Sequence, residues 1–281
     1  MPELPEVEIM ARRLGSALAG AEVASSIVRG PATLKTFDPP LAALHGRRLI
    51  GARRRGKHLL VDAEGAPTLL VHLMSAGRLQ LFEKATSPGD RTLRLALRLT
   101  DGRELRLREF GTRQAAWAKL LATDAVEADE ALATLGPEAW PDPPPFLDLL
   151  GGARPLHALL RDQRVIAGIG RSWADEILHE AMFSPFKRGD TLTPEEAARL
   201  REATIARLGA AVDRYEQVLQ LPLPDKLPMP LTVHARQGSS CPRCGDRLEA
   251  VYFEEHTIAY CPRCQTGGKV LKDRRLSRLL K

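Results

Sequence analysis

Apolar and polar positions follow two different periods along this chain. Near the start, apolar side chains recur at helical spacing in VEIMARRLGSALAG, and this pattern ends at Gly20. From there to about residue 121 the apolar runs are short and often alternate with polar residues, which is typical of an antiparallel sandwich or barrel. The predicted strands are HLLVD (58–62), TLLVHL (68–73), RLQLF (78–82), TLRLALRL (92–99) and ELRLREF (104–110).

The second half of the chain has the periodicity of helices. Two helices are predicted in PLHALLRDQ (155–163) and SWADEILHEAM (172–182), on either side of the turn RVIAGIGR. A longer helix is predicted to begin at Thr193, because Thr193, Pro194 and Glu196 supply an N-cap, a first-turn proline and a capping-box acid.

These patterns predict an α+β protein with two lobes. The proline-rich segments PDPPPF (141–146) and LPLPDKLPMP (221–230) are interpreted as linkers. The basic end of the chain could form a short basic helix or a disordered solubilising tail. The expected organisation is an N-terminal antiparallel β-sandwich domain with a leading helix (1–121), a linker (122–146), a helical domain (147–230), a cysteine module (231–265) and a basic C-terminal tail (266–281).

Charge narrows the classes of partner. Of 281 residues, 44% are apolar and 27% charged, which is globular composition. Residues 45–58 hold six Lys/Arg and no acid, and residues 234–281 hold ten Lys/Arg against five Asp/Glu. Two such clusters favour a polyanionic partner, most simply nucleic acid, with solvated surface charge as the alternative for either one. The sequence has no apolar run of membrane-spanning length and no signal peptide, so we expect an intracellular, cytoplasmic protein.

Four cysteines give the strongest chemical signal. Cys241, Cys244, Cys261 and Cys264 form the pattern C-x2-C-x16-C-x2-C. Two such knuckles present four thiolates to one zinc ion, and because protein fills every position the ion is expected to be structural. Disulfides or redox pairs are the alternative, which the intracellular context disfavours. The intervening RLEAVYFEEHTIAY predicts a β-hairpin, and Arg236 beside the module suits contact with phosphate.

The N-terminal stretch MPELPEVE has two interpretations. As a helix start, Pro5 fits the first turn and the acids suit the helix dipole. As a chemical site, removal of Met1 would expose the secondary amine of Pro2, with the carboxylates of Glu3 and Glu6 about one turn away. The residues alone leave both interpretations open.

Several segments together resemble the formamidopyrimidine-DNA glycosylase / endonuclease VIII family. They are PELPEVE, RGKHLL, LGPE (135–138), the GIG turn and the cysteine hairpin, and the resemblance runs from Pro2 to about Gln265. It implies a β-sandwich followed by a helix–two-turns–helix domain with a β-hairpin zinc finger. The implied protein is a monomer that holds double-stranded DNA between its lobes. The implied activity is base excision repair, in which an oxidised base is excised and the strand is cleaved at the abasic site.

The same resemblance implies the catalytic residues. After Met1 is removed, the Pro2 amine would attack the deoxyribose C1′ and form an iminium ion that permits β,δ-elimination. An N-terminal amine is unprotonated near neutrality more often than a lysine. Glu3 would act as general acid–base at the sugar, and Glu6 as a supporting carboxylate. Lys57 would contact phosphates beside the lesion and assist elimination.

DNA contacts are implied in the β-rich lobe as well. His72 matches a phosphate-binding histidine, although an isolated histidine on a strand is more often structural. A base that is flipped out leaves a gap, and Arg108 and Phe110 match the arginine and the aromatic wedge that fill it. The methionine wedge is displaced by one position in this sequence, so Met74 or Ser75 would take that place.

The chain departs from the family pattern at three places. Arg171 follows the GIG turn where the family has an asparagine, and it can hold phosphate together with the backbone N–H groups of Gly168 and Gly170. His256 replaces an arginine of the zinc hairpin, which predicts a weaker and pH-dependent grip on phosphate. The loop that covers a flipped oxidised purine has no recognisable counterpart in 217–235.

Three functional hypotheses follow. The first is a bifunctional DNA glycosylase/AP lyase. The second is a non-catalytic or lesion-shifted paralogue that binds damaged or abasic DNA. The third is a zinc-ribbon protein of the transcription type, which explains the cysteines but not PELPEVE. A DNA-binding protein without catalysis has no need of PELPEVE together with Lys57, so we predict an enzyme.

Overall fold

The chain divides by packing into two units. The computed structural model describes residues 2–30, 32–65, 67–87, 89–111, 114–253 and 256–271. The units are Met1–Thr134 with Val212–Pro228, and Leu135–Ala211 with Met229–Lys281. The predicted domain boundaries stay a prediction, but the packing departs from them at Val212–Pro228, which groups with the N-terminal residues. The sequence pattern could not indicate this, because the partners of that segment lie far earlier in the chain.

The N-terminal unit contains a leading helix and two antiparallel four-stranded sheets, as the sequence predicts. Its elements are α1 (Leu4–Leu18), β1 (Val23–Val28), β2 (Leu49–Arg55), β3 (His58–Ala63), β4 (Thr68–His72), β5 (Gly77–Phe82), β6 (Leu93–Leu99), β7 (Glu104–Glu109), β8 (Trp117–Leu121) and α2 (Glu130–Ala133). One sheet has the strand order β1-β6-β7-β5 and the other β2-β3-β4-β8. The leucine, isoleucine and valine side chains of α1 and of the central strands form the core.

Helix α1 packs closely on β2. Leu4, Val7 and Leu14 of the helix are fully buried. Gly15 permits the approach, because a Cβ at that position would lie 2.8 Å from the carbonyl oxygen of Ala52. The packing fixes the helix, and with it the first turn, on the edge of the sheet.

The five predicted strands are confirmed as β3 to β7, whereas β1, β2 and β8 were not predicted. Register shifts interrupt the alternation in two of them, between Val23 and Ser25 and between Leu49 and Gly51. In β2, LIGARRR, apolar and polar residues do not alternate, because the apolar residues come first and three arginines follow. A period-two search therefore has no signal to find there.

The C-terminal unit is helical and ends in a β-hairpin. Its elements are α3 (Phe146–Leu150), α4 (Leu156–Arg161), α5 (Arg171–Glu180), α6 (Pro194–Val218, which belongs to this unit up to Ala211), β9 (Glu249–Tyr252), β10 (Thr257–Tyr260) and α7 (Pro262–Thr266). The predicted helices and hairpin are confirmed, and α7 was not predicted. The capping box of α6 is present, with the Thr193 N–H donating to Glu196 at 3.1 Å and the Glu196 N–H donating to Thr193 at 3.2 Å.

The LGPE segment lies beside the turn that contains GIG. The Gly136 N–H donates to the Gln163 carbonyl at 2.8 Å, and the Ala167 N–H donates to the Pro137 carbonyl at 2.8 Å. A Cβ at position 136 would lie 2.6 Å from the Arg164 carbonyl oxygen, so glycine is required there. The two segments thus form one backbone-bonded structure.

The basic tail is described only to Leu271, whose N–H donates to the Tyr260 hydroxyl at 2.7 Å. The prediction of a helix or a disordered segment covers residues 266–281, of which 272–281 lie outside the described residues. Among the described helices, none is long and apolar enough to cross a membrane.

Candidate functional site

The first turn of α1 buries two carboxylates. Glu3 is 3% exposed and Glu6 is 1% exposed. Glu3 is the N-cap of α1, its N–H donates to Glu6 Oε2 at 2.8 Å, and its own carboxylate accepts from the Glu6 N–H. Pro2, directly before this capping box, is also buried. The helix start predicted from the sequence is confirmed, and it places Pro2, Glu3 and Glu6 in one compact turn.

Tyr215, near the end of α6, donates a hydrogen bond to Glu6. Its side chain is fully buried, and its hydroxyl donates to Glu6 Oε1 at 2.7 Å. Burial, followed by the charges of Glu6 and Glu3, raises the pKa of Tyr215 far above its ordinary value. The hydroxyl therefore stays protonated and acts as a donor.

Lys57 lies in the turn between β2 and β3, and an arginine ties this turn to α1. Arg54, whose side chain is only 6% exposed, donates to Glu8 Oε2 at 2.9 Å and to the Gly56 carbonyl at 3.0 Å. Gly56 has a φ of 54°, which favours glycine. Burial raises the pKa of Glu8, but the hydrogen bonds and charges of Arg54 and Arg12 outweigh it and lower the pKa overall. The Lys57 turn is thus anchored to the first half of α1.

Three rings, those of His58, His72 and Trp117, form a cluster next to that turn, with centroids 4.7 to 5.7 Å apart. His58 and His72 are directly paired across β3 and β4, and the His72 ring stacks on Trp117 at 5.6 Å between centroids. Burial lowers the pKa of His58 to about 4. Burial, then the charges of His58 and Lys57, lowers the pKa of His72 to about 3. Both rings are therefore neutral near pH 7. Because the charge of Lys57 contributes to the lowered pKa of His72, these two predicted residues lie close to each other.

The predicted gap-filling residues occupy two adjoining loops of the N-terminal unit. Met74 follows β4 and has a φ of 50°, which is uncommon for a side-chain-bearing residue. Its N–H donates to His72 Nδ1 at 3.2 Å. Phe110 follows β7, its ring is 43% exposed, and its N–H donates to the Ala76 carbonyl at 3.3 Å. The structure therefore brings both predicted wedges to the same end of the unit.

Arg108 lies over the Phe110 ring at 4.7 Å. Its guanidinium donates to Gln80 at 3.2 Å and to Asp225 at 3.0 Å. Asp225 belongs to the segment after α6, which Gln80 also holds by donating to the Leu223 carbonyl at 2.5 Å. In the segment 217–235 the sequence shows no recognisable lesion loop. Through Asp225 this segment is attached to Arg108, the residue predicted to face the orphaned base.

In the C-terminal unit, the GIG turn leads directly into α5. The Gly168 N–H donates to Gln163 at 3.0 Å, and Gln163 Nε2 donates to the Ile169 carbonyl at 2.7 Å. Gly168 has a φ of 105°, and Gly170 is the N-cap of α5 without a side-chain cap. Arg171 is the exposed first residue of the helix. The turn is shaped by Gln163 and presents a helix N-terminus beside Arg171.

His256, in the hairpin, lies against an arginine and a phenylalanine side chain. Its Nε2 lies 3.3 Å from Arg161 Nη1, and its ring stacks on Phe253 at 4.7 Å. Burial, then the charges of Arg161 and Arg171, lowers the pKa of His256. Arg161 on α4 therefore lies next to the histidine that replaces the family arginine. Arg236 is exposed in the turn before the cysteines.

The four cysteines form one cluster with free thiols. All four sulfurs lie within 4.8 Å of one another, with Cys241 and Cys264 3.9 Å apart and Cys244 and Cys261 3.5 Å apart. A tetrahedron with metal–sulfur bonds of about 2.3 Å has edges of roughly 3.8 Å, so the spacing fits one tetrahedral ion. Burial raises the pKa of Cys261 to about 11, so this thiol keeps its proton unless a cation displaces it. The cluster can bind a metal such as zinc.

Helix α5 supports the cysteine cluster with polar side chains. His179 Nε2 lies 3.2 Å from Cys241 Sγ in a buried contact. Glu176, 1% exposed, accepts the N–H groups of Val233 at 2.7 Å and His234 at 2.9 Å. Asp175 accepts from His234 Nδ1 at 2.7 Å. The segment leading to Cys241 is thus docked on α5.

Sequence reasoning missed the residues that support the predicted ones. Four of these have been described: Arg54, Gln163, His179 and Tyr215. Tyr215 and its partner are 209 residues apart, and His179 is 62 residues from Cys241. No periodicity or motif in one sequence links positions so distant. Of these supporting residues, Arg54 could have been found from the sequence, because it lies directly before the RGK segment.

Two family models match this chain. The formamidopyrimidine-DNA glycosylase N-terminal domain matches residues 1–113, and the formamidopyrimidine-DNA glycosylase H2TH domain matches residues 148–221. A relative from Thermus thermophilus, named formamidopyrimidine-DNA glycosylase, is 36% identical over an alignment that covers 95% of this chain and 100% of the relative. The chain belongs to the formamidopyrimidine-DNA glycosylase family.

Solved structures of the family share the fold. Lactococcus lactis Fpg in complex with DNA containing N7-benzyl-Fapy-dG is 25% identical, with a TM-score of 0.84 over 94% of this chain and 100% of that chain. The same protein in complex with DNA containing an abasic site matches with a TM-score of 0.84 at 25% identity, over 94% of this chain and 99% of that chain. The family resemblance inferred from the sequence is confirmed. The roles of individual residues stay predictions.

Proposed function

We propose that this protein is a DNA glycosylase with AP lyase activity in base excision repair, acting on damaged bases and abasic sites in double-stranded DNA. The main support is the first turn of α1, where two nearly fully buried carboxylates stand beside Pro2. Carboxylates are rarely buried without a partner or a function, and an ordinary helix start leaves its acids in solvent. The names of the relatives and the DNA in the related structures agree with this activity.

In the proposed reaction, Met1 is removed and the Pro2 nitrogen forms a bond to C1′ of the damaged nucleotide. The bond from C1′ to the base breaks, and the base leaves with a proton. Glu3 gives a proton to the ring oxygen as the sugar opens, which leaves an iminium ion between Pro2 and C1′. Glu6 supports this turn by accepting the Glu3 N–H.

The iminium ion then promotes strand cleavage. It withdraws electrons from C1′, so a proton can leave C2′ while the bond from C3′ to its phosphate oxygen breaks. Loss of a further proton from C4′ breaks the bond from C5′ to its phosphate oxygen, which completes β,δ-elimination and leaves a one-nucleotide gap. Water finally releases Pro2. Lys57 is proposed to bind the phosphates that depart.

The remaining residues of the N-terminal unit are proposed to hold the DNA open. His72 Nδ1 accepts the Met74 N–H, which leaves Nε2 as the protonated nitrogen that donates to a phosphate. Because burial lowers the pKa of His72 to about 3, this donor is a neutral imidazole. Met74 and Phe110 are the proposed wedges, and Arg108 the proposed partner of the orphaned base.

The C-terminal unit is proposed to bind phosphates around the lesion. Arg171, with the N–H groups of Gly168 and Gly170, would grip one phosphate at the N-terminus of α5. His256 and Arg236 would contact the backbone further along the strand. One structural zinc ion, held by Cys241, Cys244, Cys261 and Cys264, would fix the hairpin that carries them.

Borohydride trapping on DNA with an abasic site tests the proposal. Protein with Met1 removed should give a covalent adduct, because borohydride reduces the iminium ion. The adduct should be lost in Pro2→Gly and in protein that retains Met1. Glu83→Gln, which changes an acid after β5, should trap as the unaltered chain does. Processed protein that binds the DNA without any adduct would contradict the proposed chemistry.

A lesion-shifted or non-catalytic paralogue is the second candidate. The observations that favour it are Arg171 and His256, each at a position where the family pattern has another residue, and the attachment of the 217–235 segment through Asp225. Single-turnover rates on oxidised purines, oxidised pyrimidines and plain abasic sites would distinguish the candidates. Activity on abasic sites alone would indicate that excision has been lost and the lyase retained.

A further inference from the structure

Tyr215 reaches the buried turn of α1 from the far end of α6. Its hydroxyl donates to Glu6 Oε1 at 2.7 Å, while Glu6 Oε2 accepts the Glu3 N–H at 2.8 Å. Each of the two oxygens of this carboxylate thus accepts a hydrogen bond. Because both donors are held in place, a rotation of the carboxylate would break a hydrogen bond in a buried site, which is costly.

This orientation is transmitted to the catalytic turn. The Glu6 carboxylate is half of the capping box that holds Glu3 at φ −114° and ψ −168°, immediately after Pro2. A rotation of the carboxylate would release the Glu3 N–H and permit the backbone before α1 to move. Small displacements of a nucleophile from its reacting geometry cost large factors in rate. The Pro2 nitrogen is therefore sensitive to the hydrogen bond of Tyr215, although Tyr215 does not approach the substrate itself.

A second set of contacts fixes Tyr215 with respect to α1. Arg13 of α1 donates to the Glu216 carbonyl at 2.5 Å and to the Leu219 carbonyl at 3.1 Å. Glu216 lies in the last turn of α6 and Leu219 directly follows the helix, where C=O groups without an intrahelical partner need donors. The end of α6 is therefore attached to α1 through Tyr215 and again just beyond it, which holds the hydroxyl next to Glu6.

We infer that Tyr215 is a positioning residue for the Pro2–Glu3 pair and acts through Glu6. The inference rests on the proposed function and deepens it, because it assigns part of the catalytic geometry to the end of α6. That segment packs with the N-terminal unit. Its attachment to that unit keeps the Tyr215 hydroxyl next to Glu6.

Tyr215→Phe tests the inference, because it removes one oxygen and keeps the ring. On DNA with an abasic site at saturating concentration, the single-turnover cleavage rate and the rate of borohydride trapping should both fall about tenfold, while the dissociation constant of the DNA changes less than about twofold. Thr204→Val is the matched control. It removes one buried hydroxyl from the same helix, where Thr204 donates to the Leu200 carbonyl at 2.8 Å, and it should leave the rates unchanged.

A double-mutant cycle separates positioning from general destabilisation. If Tyr215 acts through Glu6, Tyr215→Phe should have almost no further effect on rate in a Glu6→Gln background. Equal losses in both backgrounds, or an unchanged rate in Tyr215→Phe, would overturn the inference. The proposed function fails by a different result, namely the absence of any trapped adduct with the unaltered, processed chain.

Discussion

The N-terminal turn and the cysteine cluster are stabilised in opposite ways. At the turn, protein groups hold one another, with Glu6 receiving donors from Glu3 and Tyr215. At the cluster, the surrounding core is very small and two of its members are the cysteines themselves. That core consists of Val233, Cys241, Leu248, Ala259 and Cys261, with Cys244 and Cys264 packed against it.

The difference shows whether each region depends on its hydrophobic core or on its polar groups for stability. The N-terminal unit contains two four-stranded sheets and a long helix, and it buries enough apolar surface to hold polar groups in place. The cysteine module has only a very small core of its own, so we expect it to depend on metal binding for its stability. At the first turn of α1 the surrounding fold stabilises the buried carboxylates. At the cysteine cluster we expect metal binding to stabilise the surrounding fold.

Metal removal should have the largest effect of the changes considered, and it should unfold the cysteine module without unfolding the N-terminal unit. A chelator or Cys244→Ser should unfold the hairpin, because metal binding by such modules contributes about 10–16 kcal/mol. DNA binding should fall by at least about 100-fold, measured by titration of a labelled duplex, while the strands of the N-terminal unit keep their amide protection. Ser239→Ala, an exposed change in the same segment, is the control. A hairpin that stays protected without metal would invalidate the distinction.

Acid should destabilise the N-terminal unit through its buried histidines. His58 has its pKa lowered to about 4 by burial, so between about pH 6.5 and 4 the unfolded chain binds a proton that the folded chain does not. The free energy of unfolding should therefore fall as the pH falls through this window. His58→Asn should reduce the slope by up to about 1.4 kcal/mol per pH unit, measured by urea denaturation. His45→Asn, at an exposed position, should keep the original slope.

Arg54 should matter more than the arginine next to it. Arg54→Ala removes hydrogen bonds to Glu8 and to the Gly56 carbonyl from a nearly buried position, and should lower the free energy of unfolding by about 1–3 kcal/mol. It should also slow strand cleavage, because the Lys57 turn loses its anchor. Arg53→Ala breaks an exposed ion pair with Asp62 and should cost less than about 1 kcal/mol. Equal costs in thermal denaturation would refute the anchoring role.

The smallest effect is expected at Asp225. Asp225→Asn weakens the hold on Arg108, which should leave the guanidinium more available to DNA. The affinity for a duplex with an abasic site should rise a few-fold, with little change in stability, because the carboxylate is about half exposed. Asp101→Asn, in the β6–β7 turn, controls for the loss of one negative charge. An equal rise in both variants would point to net charge alone.

Much of this protein could be read from its sequence because the signals are local. Alternating runs identified β3 to β7, the capping box identified the start of α6, and the cysteine spacing identified the cluster. PELPEVE indicated both a helix start and a set of acids. In each case, neighbouring residues determine the structure through hydrogen bonds or periodic burial, so a single sequence is sufficient.

Tertiary structure decided the rest. β1, β2 and β8 lack a clear period, because bulges interrupt two of them and α1 covers one face of β2. Tyr215 reaches Glu6 from 209 positions away in the sequence, and Asp225 reaches Arg108 from 117 positions away. The sequence determined which groups we propose for the chemistry, and the packing determined which orientation those groups hold. Orientation inside a protein depends on contacts between residues distant in sequence, and such contacts leave no periodic trace along the chain.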